Sequence, residues 1–157
     1  MPQLNISGTI IDFPDTAASP DWSQGIILFA QLVANALSGL LGPNDVSPQV
    51  FVIDAFNAPA EINIPNLTFS GAAVRTANIR YGVYRTTSTT TVFEEGDIQL
   101  IYDNADGIWG LTRQRTGDAK ISFDITNAGQ VRFSVQAITG SGYAGKLVYA
   151  AVTLPQN

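Results

Sequence analysis

The chain is expected to be mainly β: an antiparallel β-sandwich, jelly-roll or immunoglobulin-like, with one N-terminal apolar α-helix. Three observations predict this. Apolar residues recur at every second position in several short segments from Gln49 onward. Turn-forming clusters separate those segments at short intervals. One earlier stretch, Gly25 to Gly42, carries its apolar residues at helical spacing instead. With 157 residues the chain has room for one domain with a real core and is too short for two ordinary ones. The expected organisation is an N-terminal strand and helix over residues 1–48 and a sandwich body over 49–157.

Leu4 to Phe13 reads as a first strand, followed by the turn-rich Pro14-Asp15-Thr16-Ala17-Ala18. Ser19-Pro20-Asp21-Trp22 then places a capping hydroxyl before a proline at the first helical position, with an acid in the first turn. The predicted helix runs to about Leu41 and stops at Gly42-Pro43, where glycine suits a left-handed cap and proline cannot continue the helix. Ile26, Ala30, Val33, Leu37 and Leu40 alternate four and three apart, the spacing of a coiled-coil seam, with Phe29 beside it. Gln24, Gln31, Asn35 and Ser38 make one narrow polar stripe opposite, which leaves an apolar or small arc of roughly 260°. A single sheet covers only one side of a helix, so two readings stand: burial within one subunit, or packing against symmetry mates. No membrane span is expected, because this run contains Gln31 and Asn35 and has no Lys or Arg flank.

In the body, Gln49 to Phe56 is β-like, and Glu61 to Phe69 is a second such run whose Pro65 suits an edge strand. Ala77, Ile79, Tyr81 and Val83 alternate with polar positions, as do Ile98, Leu100 and Tyr102. The same holds for Ile121, Phe123 and Ile125, and for Val131, Phe133 and Val135. Each is the pattern of a half-buried antiparallel strand. Asp103-Asn104-Ala105-Asp106-Gly107 and Asn127-Ala128-Gly129 carry hairpin-turn chemistry. Lys146 to Leu154 is apolar on both phases and is expected to be covered on both faces.

Composition narrows function more than it names it. The chain has no cysteine and no histidine, which removes disulfides, thiolate zinc sites and every Ser-His or Cys-His nucleophilic scheme. Charged residues are only 13% of the chain against 45% hydrophobic, too little charge to solvate a whole monomer surface comfortably. That deficit points to surface covered by other subunits, with an uncharged exterior rich in Thr, Ser, Asn and Gln as the alternative. A net charge of −5 with eight scattered Lys and Arg opposes nucleic-acid binding. The opening residues lack a secretion signal, so the sequons at Asn5 and Asn66 are read as accidental.

Carboxylates offer the only catalytic candidates, with Asp97, Asp103 and Asp106 as the best cluster. Asp103 to Gly107 lacks the alternating ligands and terminal glutamate of a calcium loop, and a hairpin turn accounts for its residues. Glu94-Glu95-Gly96-Asp97 likewise reads as a charged inter-strand turn. Gly140 to Gly145 is Gly-rich but precedes a strand, whereas a phosphate loop precedes a helix, so it reads as a strand connection. The hydroxyl run Thr86 to Thr91, with Tyr84, Tyr102 and Trp109, suggests a sugar-binding surface, against core packing of the same rings. No catalytic residue, metal site or cofactor is assigned.

Ser19 to Ile26 leading into an apolar helix, then Asn63-Ile64-Pro65-Asn66-Leu67, resembles small structural proteins of tailed bacteriophages. Ile79-Arg80-Tyr81, Asp97 to Tyr102, Trp109, Gly117-Asp118-Ala119, Phe123 to Thr126, Gly129-Gln130-Val131 and Gly142 to Gly145 resemble a β module of phage virion and fibre proteins. The resemblance implies a non-enzymatic component of the virion, at the head as decoration or at the tail as fibre, spike or accessory protein. It also implies a homo-oligomer, in particular a trimer, with other virion proteins as partners. The expected oligomer interface is Ile26, Phe29, Ala30, Val33, Leu37 and Leu40. The alternative is a host-surface carbohydrate-binding module, with a host glycan as partner; a carboxylate hydrolase is a distant third.

Overall fold

The structure, a computed structural model, describes the backbone of residues 3–6 and 9–12, and the whole of residue 33 and of residues 42–156. It divides into two compact units, Met1–Gly42 and Pro43–Asn157.

In the first unit, β1 (Gln3–Ile6) and β2 (Thr9–Asp12) pair antiparallel from Gln3 opposite Asp12 to Ile6 opposite Thr9. The expected single strand over Leu4 to Phe13 is therefore a hairpin. Its physical reason is in the sequence, where Ser7-Gly8 is a turn-favouring dipeptide. Of the expected helix only Val33 is a described residue, with helical backbone and a side chain 38% exposed. The remainder of the helix, and the interface positions Ile26, Phe29, Ala30, Leu37 and Leu40, lie outside the described residues.

The second unit is a two-sheet antiparallel body. Its strands are β3 (Val46–Val52), β4 (Ala58–Thr68), β5 (Val74–Thr86), β6 (Thr91–Asp103), β7 (Ile108–Gly117), β8 (Ile121–Ile125), β9 (Gln130–Val135) and β10 (Ala144–Pro155). Five strands form one sheet in the order β3-β10-β5-β6-β7, and three form the other in the order β4-β9-β8. The last strand thus lies between the first strand of the unit and β5, so the unit closes on itself. β5, β6 and β7 are successive hairpins; the chain changes sheets after β3, β4, β7 and β9.

The alternating segments form the interior as expected. Ala77, Ile79, Tyr81 and Val83 of β5, Ile98 and Leu100 of β6, and Leu147, Tyr149 and Ala151 of β10 are buried against Val131, Phe133 and Val135 of β9. Edge strand β4 contributes Ile64 and Leu67. Pro65 has no N–H to offer the ladder, and Asn66 takes a left-handed φ of 59°. The Gln130 side-chain amide bridges this irregular stretch, donating to the carbonyls of Ile64 at 2.9 Å and Leu67 at 3.2 Å. Tyr149 donates from β10 to the Pro65 carbonyl at 2.8 Å, which ties the two sheets together.

Two expectations fail here. Glu94-Glu95-Gly96-Asp97 is not a turn but lies inside β6, and Glu94 is fully buried. Adjacent charges suggested solvent, but Glu94 shares the inward phase of Ile98 and Leu100. Nor is β10 covered on both faces: beside buried Leu147, Tyr149 and Ala151, its Val148, Val152 and Leu154 are exposed. A two-layer body has no third layer to cover them.

Arg85 is the largest side chain with complete burial. It donates from Nε to the Tyr143 hydroxyl at 3.0 Å and from Nη1 to the carbonyls of Ala119 at 2.7 Å and Lys120 at 3.3 Å. From Nη2 it donates to the carbonyls of Phe56 at 3.0 Å and Gln136 at 2.8 Å. Both guanidinium Nη groups and Nε are thus engaged, and the acceptors come from the β3–β4, β7–β8 and β9–β10 connections. Arg85→Met should lower the unfolding free energy in urea by about 3 kcal/mol or more, because several carbonyls lose their donor at once. A loss below 1 kcal/mol would show that these connections hold without it.

Candidate interaction face

The inward phase of the five-stranded sheet makes the core; the outward phase makes the most distinctive surface. Cross-strand register fixes its rows. Val52, Lys146, Tyr84 and Phe93 form one row across β3, β10, β5 and β6. Next come Val50, Val148, Gly82, Glu95 and Thr116. Ala150, Arg80, Asp97 and Gln114 form the middle row, and Val152, Asn78, Gln99 and Thr112 the fourth. Leu154, Thr76, Ile101 and Gly110 close the series. The large apolar members are well exposed: Val50 65%, Phe93 64%, Leu154 63% and Val152 62%, with Val52, Ile101, Tyr84 and Val148 about half exposed. A shallow open depression of about 980 Å³ lies on the end of this face that carries Tyr84, Phe93 and Val148. Isolated exposed apolar residues are ordinary, but a contiguous face of them marks an interaction surface.

Beneath this face sits a buried polar cluster. Tyr81 and Gly96 are opposite each other across β5 and β6, and a Cβ on Gly96 would stand 2.9 Å from the Tyr81 hydroxyl. The missing side chain leaves the phenol room to donate to Glu94 Oε1 at 2.7 Å. Arg113 pairs with the same carboxylate oxygen and donates from Nε to the Tyr81 hydroxyl at 2.8 Å. Arg115 reaches Glu94 Oε2 at 2.9 Å, and the Ala119 amide donates to it at 3.1 Å. Burial alone pushes the Glu94 carboxyl up, but the hydrogen bonds from Tyr81, Ala119, Arg115 and Arg113 outweigh it and hold the group below its ordinary 4.5. Burial, reinforced by the Glu94 bond, pushes Tyr81 up to about 12. Asp118 beside it falls from 3.8 to about 2, chiefly through the Lys120 ammonium and the Lys120 amide. Both carboxylate oxygens of Glu94 and the Tyr81 hydroxyl are spent on protein partners, as in a structural network.

The sequence-predicted constellations are dispersed. Asp97 lies mid-strand on the outer face, while Asp103 ends β6 and accepts the Ala105 amide at 2.8 Å within the hairpin turn. Six residues of extended strand separate the two by roughly 20 Å. Among the described residues no group of three His, Cys, Asp or Glu side chains is placed to hold a metal ion. The hydroxyl run folds back on itself: Thr87 and Thr89 donate to the Thr139 carbonyl, at 2.5 and 3.1 Å. Thr90 bonds Thr139 at 2.8 Å, and Ser88 bonds Ser141 at 3.3 Å. These hydroxyls bind the β5–β6 turn to the β9–β10 connection. Trp109 is buried against Phe69 and Tyr102, at the far end of the sheet from Tyr84, so the three rings do not share one surface. The outer face itself was missed from sequence, although Phe93 and Ile101 at the outward phase of β6 and the double apolar phase of β10 were its signal.

Among solved structures, the chain is similar to the tailspike protein of Acinetobacter phage vB_ApiP_P1, at 10% identity and a TM-score of 0.46, over 68% of this chain and 22% of that one. It is also similar to the tailspike protein gp49 of Acinetobacter baumannii bacteriophage Fri1, a capsular polysaccharide depolymerase. There the identity is 10% and the TM-score 0.29, over 73% of this chain and 21% of that one. The chain spans about a fifth of the length of each. No family model and no curated protein match it.

Folding lowers both the Glu94 and the Asp118 pKa, so each group contributes stability that is complete above its unfolded value and lost as pH falls through its folded value. Unfolding free energy should therefore decline from about pH 4.5 downward. Glu94→Gln should cost about 3 kcal/mol at neutral pH, by leaving Arg113 without its counter-charge, and should flatten that acid slope. Urea titrations of both proteins between pH 2 and 7 check this; an acid slope unchanged in the variant would remove Glu94 as its source.

Proposed function

We propose that this chain is a non-enzymatic structural component of a bacteriophage virion, attached at the tail or the head, that self-associates and presents its two-sheet body. The observation that carries the reading is the outer face of the five-stranded sheet, which bears eight exposed large apolar side chains yet no convergent set of catalytic groups. A surface of that kind serves assembly. The low charge and the sequence resemblance to phage virion and fibre proteins support the same reading, which makes a trimer the expected assembly. In this proposal the N-terminal helix adds to the interface through Ile26, Phe29, Ala30, Val33, Leu37 and Leu40.

Immunogold electron microscopy of purified particles of the encoding phage should place the chain on the virion. Its presence in infected cells but not on purified particles would contradict the proposal. For the helix, replacing Val33 and Leu37 together with Asp should lower the oligomer mass seen by light scattering, since it places two charges in a dry contact at a cost of several kcal/mol. A mass unchanged by the double substitution would exclude the helix from the interface.

A further inference from the structure

The outer face is divided by charge as well as clothed in apolar side chains. Its basic side chains, Arg80 on β5 and Lys146 on β10, lie on one half; its acidic ones, Glu95 and Asp97 on β6, lie on the other. All four are exposed, and none makes a side-chain hydrogen bond or ion pair among the described residues. Four acids elsewhere in the body do find basic partners: Glu94 takes two arginines, Glu61 and Asp124 share Arg132, and Asp118 takes Arg115 and Lys120. The register sets Arg80 directly opposite Asp97, and Tyr84 directly opposite Phe93, on neighbouring strands of one sheet.

We infer that this face docks the same face of a second copy of the chain, which rests on the self-association proposed above but gives it two-fold symmetry, a dimer in place of the trimer that the sequence resemblance implies. Turning one copy over about an axis parallel to the strands, between β5 and β6, lays each β5 across the other's β6. Arg80 then meets Asp97 of the partner subunit, Tyr84 meets Phe93 of the partner subunit, and each contact occurs twice, as an isologous interface requires. Aligned packing of two sheets is an established geometry, with the strand directions within about 30°. The size agrees: the six large side chains of β10, β5 and β6 that then face the partner sheet, with the four charged ones among them, supply roughly 50 to 100 Å² each, which approaches the roughly 800 Å² per partner of a standard stable interface. Pairing a basic half with an acidic half also selects this partner over an arbitrary apolar surface.

The test uses the full chain and sedimentation equilibrium, with circular dichroism to confirm that each variant is folded. Arg80→Glu alone and Asp97→Arg alone should each weaken self-association at least tenfold, because each sets like charges against one another across the interface. An equimolar mixture of the two variants should associate again, since each then supplies the charge the other lacks. Phe93→Glu should give monomer at every concentration at which the wild type associates. A wild type that is monomeric at micromolar concentration would overturn both this inference and the self-association it rests on. An oligomer unaffected by all three face variants but dissociated by the Val33 and Leu37 double substitution would overturn the face alone and leave the helix interface standing. Single variants that dissociate without recovery in the mixture would overturn the charge register.

Discussion

A body of two sheets can bury one face of each sheet, and the rest of this structure follows from that limit. The five-stranded sheet is apolar on both sides along β10, where Leu147, Tyr149 and Ala151 fill the interior while Val148, Val152 and Leu154 face outward. The three-stranded sheet covers the first set. Nothing within the described second unit covers the other set, although β10 is an interior strand of its sheet with β3 and β5 on either side. The scarcity of charge in the composition has its structural counterpart here: a strand built like a fully buried one stands in the middle of an open face.

The interior, in contrast, holds more charge than such a sequence suggests. Arg85 and Glu94 both lie completely buried on adjacent strands, and each is satisfied by main-chain groups of the connections as well as by side chains. Their common neighbour is the β7–β8 connection around Ala119, which gives its carbonyl to Arg85 and its amide to Glu94. That connection carries the chain from one sheet to the other, so the two charges fix where β8 begins relative to β5 and β6. Gly96 is a condition of this arrangement, because only an absent side chain lets Tyr81 reach across β6. Arg113, which lies over the Tyr81 and Phe123 rings, joins the cluster to the three-stranded sheet and donates to the Ile121 carbonyl at 3.0 Å.

Much of this was legible from residue order. Period-two alternation located the inward residues of β5, β8 and β9, and the Asn and Gly positions located the β6–β7 and β8–β9 hairpins, where Gly107 and Gly129 adopt positive φ. What escaped has physical reasons. Glu94 was read as part of a charged turn because Glu94, Glu95 and Asp97 cluster around a glycine, and its compensation comes from Arg113, Arg115 and Ala119, whose approach depends on sheet register rather than local sequence. Leu4 to Phe13 was read as one strand because Leu4, Ile6 and Ile10 keep one phase across Ser7-Gly8. The aromatic and hydroxyl residues near Thr86 looked like one surface because they are close in sequence, whereas a long hairpin places Tyr84 and Trp109 at opposite ends. The outer face was hidden in the double apolar phase of β10, which burial on both sides and burial shared with another subunit produce alike.

The central claim is that the apolar outer face is completed by another copy of the chain, so that folding and association are linked. Linkage makes the thermal midpoint depend on protein concentration, because a partner that binds only the native state stabilises it by mass action. The most direct measurement is the midpoint of the wild-type protein by scanning calorimetry over a hundredfold range of concentration spanning the micromolar. The account predicts a midpoint that rises steadily with concentration. A midpoint that stays constant over that range would contradict it and assign the exposed face to a stable monomer.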